Sequence, residues 1–175
     1  MKEKCINIVR VNIFSLIFTP IIFVGTIIPY RCFVEQNPDE LLSPVKFVFL
    51  FTALIAGLLV HELIHDITFA KYNKSGFKSI KFGIVWKHVV LYCHCSEFIT
   101  VWQYRIVLLM PSVILGFIPV ILGFVLGNFM VLLFGCTMTM GGLGDFFCIW
   151  SLRGFNKNTL IMDHPSKVGF FYEEK

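Results

Sequence analysis

The sequence predicts an all-α polytopic membrane protein, with four transmembrane helices and a short cytoplasmic β-hairpin between the second and third. Three observations predict it. Of the 175 residues, 57% are hydrophobic and 15% charged, with a mean hydropathy of +0.78, a composition unlike that of a soluble globule. Four stretches stay apolar on every helical face for about 20 residues, the length needed to span a bilayer core. Lys and Arg are distributed asymmetrically between the segments that join those stretches.

The first span covers residues 11–30, "VNIFSLIFTPIIFVGTIIPY". Lys2, Lys4 and Arg10 precede it, as they would precede a secretion signal. Its apolar core exceeds the usual ~7–15 residues of such a signal and no small-x-small cleavage pattern follows, so it reads as an uncleaved helix. The second span covers residues 47–70. After it, Ile80, Phe82 and Ile84 alternate with Lys81 and Gly83, a period of two that belongs to a strand. His88–Cys95 is rich in Val, Leu and Tyr and supplies a second strand after a turn near Trp86-Lys87, so residues 77–95 form the hairpin. The third span covers residues 106–127 and the fourth residues 128–152. They meet at Gly127-Asn128 with almost no linker, which predicts a tight helical hairpin. Pro20, Pro111 and Pro119 lie inside spans, where neighbouring helices or water satisfy the freed carbonyls.

With four spans, both termini and the hairpin share one side of the membrane. Of the 15 Lys and Arg residues, only Arg31 and Lys46 fall on the other side, so the termini are expected in the cytoplasm. The net charge of +4 thus reflects topology, and the expected surroundings are a lipid bilayer with no nucleic-acid partner. The six cysteines make no disulfide framework, because Cys32 alone would face an oxidising compartment. Residues 1–175 form a single membrane-embedded domain, the tail after Leu152 being too short for a core of its own.

The stretch "LLVHELIHDITF" sets two histidines, a glutamate and an aspartate into the second span. Insertion of a charged group there costs on the order of 2.5–3.5 kcal/mol, so such groups normally face a partner or a cavity. His61 and His65, four residues apart, project from one helical face and can both reach one zinc ion at about 2.0–2.1 Å. Glu62 is offset by about 100° around the axis, where it can contact a water on the metal without ligating. His-Glu-x-x-His therefore suits metal-assisted hydrolysis, the metal acidifying a water and Glu62 moving its proton. A chance match to so short a string is the competing reading, and the intramembrane setting weighs against it.

A catalytic zinc usually takes three protein ligands. Asp145, in "MTMGGLGDFFCIW", is the sole charged residue between Arg105 and Arg153 and is the candidate for the third. Depth agrees: His65 lies about 9 Å of helix from Lys71, and Asp145 about 12 Å from Arg153. Gly141, Gly142 and Gly144 are expected to let span four approach span two closely. Asp66 reads as the solvated end of the helix rather than as a group orienting an imidazole. Cys93-His94-Cys95 lacks a second metal-ligating pair and reads as strand residues. His164, in "DHPSKVGF", lies outside the spans, and Pro165 is expected to turn the tail.

"HELIH" late in one span, a cytoplasmic hairpin, then "GGLGD" late in a further span resembles the site-2-protease class of intramembrane zinc metalloproteases. The chain is similar over nearly its whole length, including "HELIH", "GGLGD" and "DHPSKVG", to a family of small bacterial membrane proteins described as candidate zincin peptidases. The resemblance implies a metalloendopeptidase in a bacterial plasma membrane, with His61, His65 and Asp145 as zinc ligands and Glu62 as general base. It also implies a membrane-protein or peptide substrate, guided by strand addition to the hairpin. The chain departs from the site-2 pattern at Phe146, where a glycine is usual, and it lacks the Asn-Pro motif of the intervening helix. Two other classes compete: a catalytically inactive protease-like binding protein, and a metal transporter. Transporters tend to show repeats or charges strung along a path, and here the ionisable groups gather at one depth.

Overall fold

The computed structural model describes residues 1–34, 43–85, 90–164 and 168–173, with the side chains of residues 78–95 outside that description. The first three apolar stretches are helical and longer than the sequence suggests. Helix α1 spans Ile8–Phe33, and the Asn7 side chain caps it by accepting from the Val9 N–H. Helix α2 spans Pro44–Tyr72 and begins on Pro44, whose missing N–H costs nothing in a first turn. Helix α3, Val101–Pro111, opens on a reciprocal capping box between Thr100 and Gln103. A π-helical stretch, Ser112–Phe117, links it to α4, Ile118–Leu126. Pro119 has no N–H to give the preceding turn, and the wider turn takes up the mismatch, with the Ile118 N–H reaching the Val113 carbonyl.

Gly127 ends α4 in the left-handed conformation (φ 61°), and the Asn128 N–H closes back on the Gly123 carbonyl at 3.0 Å. The Asn128 side chain then caps α5, Phe129–Gly141, which makes the tight hairpin expected at this dipeptide. The fourth expected span is not one straight helix. It bends by 40° at Gly142 into α6, Leu143–Ser151. Three helical stretches are long and apolar enough to cross a membrane, or up to four if the bent pair counts as one. None of the residues in the most apolar window of α1 is buried, so its side chains present an apolar outer surface.

The hairpin forms as expected, with β2 (Ile80–Val85) antiparallel to β3 (Val90–Cys95) and Ile80 opposite Cys95. Its turn near Trp86-Lys87 lies outside the described residues. The side chains of Cys93, His94 and Cys95 do so as well.

A second sheet departs from the all-α expectation. Strands β1 (Lys2–Cys5), β4 (Ile99–Thr100), β5 (Leu160–Asp163) and β6 (Gly169–Glu173) form an antiparallel sheet in the order β1-β6-β5-β4. The tail therefore does contribute to a core. Phe69, Val101, Tyr104, Leu152, Ile161 and Phe170 pack together beneath this sheet. Residues Asp163 and His164 end β5, and the His164 N–H bonds the Gly169 carbonyl across the hairpin, with Pro165 outside the described residues. Asp163 accepts a short hydrogen bond from the Tyr104 hydroxyl, and His164 Nε2 lies 3.1 Å from Glu3 Oε1. A smaller cluster of Tyr30, Phe129 and Leu132 fills the opposite end of the bundle.

The close helix approaches are not where the glycines suggested. Gly141 and Gly144 face open space, and Gly142 abuts Ser112 of the π-helical stretch. Span four meets α2 at Gly57, against Met138 and Phe134. Helix α4 also lies close on α5, where a Cβ on Gly123 would fall 2.6 Å from Leu132 backbone atoms.

Candidate metal centre

Two elements bring the site together. Helix α2 presents His61 and His65 one turn apart, their rings edge to face with centroids 4.9 Å apart. The break at Gly142 starts α6 afresh, so Asp145 sits in the first turn of a new helix and points toward α2. Asp145 Oδ2 lies 3.1 Å from His61 Nε2 and 3.6 Å from His65 Nε2. One ligand atom from each of the three residues falls within 4.8 Å of the others.

A third helix fixes the tautomer. The Nδ1 of His65 lies 3.0 Å from the Val107 carbonyl of α3, and a carbonyl only accepts. Nδ1 therefore carries a proton and Nε2 faces Asp145, the arrangement commonly found behind metal-ligating histidines. His65 is buried, while His61 and Asp145 are partly exposed. Glu62 is partly buried, and no hydrogen bond or ion pair joins it to another described residue.

These residues fit a divalent metal. Ligands at about 2.0–2.1 Å in tetrahedral array lie roughly 3.3 Å from one another, and 3.1 and 3.6 Å bracket that spacing. A plain ion pair accounts for the site less well. At 3.6 Å His65 Nε2 faces Asp145 Oδ2 but lies beyond a direct hydrogen bond, which His61 Nε2 makes at 3.1 Å.

Asp66 corrects the reading of it as solvated: it is fully buried. Helix α2 runs on to Tyr72, so Asp66 lies inside it, beside the face that packs on α3. Sequence reasoning also missed the Val107 carbonyl, for which no side-chain signal exists. It missed Ser112 as well, a buried hydroxyl with no hydrogen-bond partner among the described residues.

A family model described as "Putative zincin peptidase" matches residues 54–160, more than half of the chain. The chain belongs to this family. The matched stretch begins within α2 and reaches the start of β5, so it holds His61, Glu62, His65, Val107 and Asp145 together. No curated protein and no solved structure matches the chain.

Proposed function

We propose that this chain is an intramembrane zinc metallopeptidase, similar to the site-2-protease class, that hydrolyses a peptide bond in or beside the membrane. The observation that carries the proposal is the convergence of His61, His65 and Asp145, from two helices, on one point. In this reading the three side chains hold the metal. Zinc bound there supplies Lewis acidity, polarising a carbonyl and making water a nucleophile near neutral pH.

The protein's own residues do the rest. Glu62, turned about 100° from His61 around the helix, accepts the proton of the attacking water and delivers it to the nitrogen of the breaking peptide bond. The water oxygen bonds to the carbonyl carbon, the C–N bond breaks, and an acid and an amine leave. The Val107 carbonyl holds the proton of the neutral His65 ring on Nδ1, which leaves Nε2 as the nitrogen that would ligate. Asp145 adds a negative charge that helps offset the metal's charge in a low-dielectric setting. The β2–β3 hairpin follows α2 directly and offers an extended substrate a strand to pair with.

Topology supports four crossings. Strands β1, β4, β5 and β6 share one sheet, so all four lie on the same side of the membrane. The chain therefore crosses an even number of times between β1 and β4, and again between β4 and β5. Helices α1 and α2 make the first pair. The α3–α4 stretch makes a third crossing, and the bent α5–α6 pair is the return. Lys and Arg gather on the sheet side, which supports a cytoplasmic placing of that side.

The test is Glu62→Gln beside His61→Ala and Asp145→Ala. The expected result is one zinc per chain in wild type and Glu62→Gln, and little in the other two. Profiling of new N-termini in membranes from cells expressing each form should show cleavage with wild type alone. If Glu62→Gln cuts as wild type does, the proposal fails. If it restores a deletion phenotype without cutting, the chain is a protease-like binding protein.

A further inference from the structure

A second site lies on the far side of α6 from the metal centre. Asp145 faces α2, whereas Phe147 and Trp150 face α1, where Phe14 meets them at centroid distances of 5.4 and 6.2 Å. Between this aromatic wall and the start of α1 runs a groove of about 610 Å³, within the range of ligand-binding clefts. Its mouth carries Lys4, Arg10 and Arg153, and none of the described residues lining it is acidic.

The cations are arranged rather than scattered. Lys4 Nζ donates to the Ser151 carbonyl at 2.9 Å and sits 4.9 Å from the Phe155 ring centroid, which fixes one lip. Arg153 lies 4.6 Å over the Trp150 ring, fixing the other. Arg10 is exposed in the first turn of α1, and neither it nor Arg153 pairs with a carboxylate among the described residues. The N-terminus of this 26-residue helix opens at the same mouth, and its dipole favours an anion. Below the charges the groove turns apolar: Ile13 and Ile17, 52% and 53% exposed, continue it along the outer face of α1.

An anionic head above an apolar stem matches this gradient. We propose that the groove binds one anionic phospholipid, its phosphate among Arg10, Arg153 and Lys4 and its acyl chains along Ile13, Ile17 and Phe14. A basic pocket between membrane helices beside an interfacial tryptophan is the setting in which such lipids are held. The inference rests on the reading of these helices as membrane spans, and it is independent of the peptidase chemistry.

The probe is the full chain in detergent, offered equal phosphatidylglycerol and phosphatidylcholine of matched acyl chains, with bound lipid counted by native mass spectrometry. The expected result is about tenfold more phosphatidylglycerol bound. Arg10→Gln with Arg153→Gln should weaken it roughly thirtyfold, at about 1 kcal/mol per cation. Arg10→Lys with Arg153→Lys should stay within about threefold of wild type. If the double glutamine variant does not fold, Arg10→Gln alone should weaken binding about fivefold. Equal binding of the two lipids overturns the proposal. An equal loss in the charge-matched Lys71→Gln with Lys157→Gln also overturns it, because it would reveal general surface potential. Competition by glycerol 3-phosphate or an acidic peptide as strong as by the lipid does so too, since the acyl contacts would then be idle. Release of the chain from vesicles by alkaline carbonate would sink the membrane reading itself, a failure distinct from loss of lipid selectivity.

Discussion

Gly142→Ala is a perturbation whose cost can be worked out from the contacts around it. Gly142 has φ −77° and ψ 3°, a conformation open to any residue, so the substitution brings no backbone strain. What it meets is Ser112: an added Cβ would lie inside the van der Waals contact of the hydroxyl oxygen. The next neighbours are Ser112 Cβ at 3.5 Å and the Thr139 carbonyl at 3.6 Å, both ordinary contacts. The clash is therefore with one removable atom. Relieving it by movement means parting α6 from the π-helical stretch by about 1 Å, at a cost of about 1–3 kcal/mol. Ser112→Ala alone deletes a buried hydroxyl without a partner among the described residues and should be neutral, or stabilising by about 1 kcal/mol. The double variant should return to the stability of Ser112→Ala alone, a coupling of about 1–3 kcal/mol. Thermal unfolding of the four proteins in detergent measures the cycle. Zinc content supplies a second reading, because Asp145 lies in the turn that Gly142 begins. A double variant as unstable and as zinc-poor as Gly142→Ala would refute the reasoning.

Other outcomes follow from the same geometry. Gly123→Ala sets a Cβ 2.6 Å from the Leu132 backbone, which cannot rotate aside, and should yield little folded protein. Gly141→Ala, with nothing within 4 Å, should instead raise the unfolding midpoint slightly, by up to about 1 kcal/mol of helix propensity. Tyr104→Phe removes the hydroxyl that holds Asp163 and should cost about 1–3 kcal/mol. Limited proteolysis read by mass spectrometry should then find faster cleavage in residues 155–173. Adding zinc at about a hundred times its dissociation constant should stabilise the chelator-stripped protein by about 2.7 kcal/mol, and Asp145→Ala by much less.

The site was more legible in the sequence than the fold around it. His61 and His65 are set by helical period alone, and Asp145 stands out because a charge is rare in so apolar a span. Depth counted from the flanking cations then paired them. The start of α3 was readable too: Thr100 and Gln103 have capping-box spacing, yet Gln103 and Arg105 made the span seem to begin near Ile106. The tail carried a hairpin signal in "LIMD" and "GFFYE", apolar runs separated by a short polar stretch with a proline. Strand β1, "KEKC", has no such signal, because its pairing depends on a partner at the far end of the sequence. The bend at Gly142 and the burial of Asp66 were likewise invisible, since each depends on what packs from another helix.

The pairing of β1 with β6 also bears on how the chain is made. Strand β1 is made before the helices and pairs with β6, which is made after them. Until then its edge is open, and α1 is held by its packing on α5 and α6. Closure of the sheet is thus a late step that follows synthesis of the helices. A product arrested before Gly169 would carry every residue of the candidate metal centre and still lack the partner of β1.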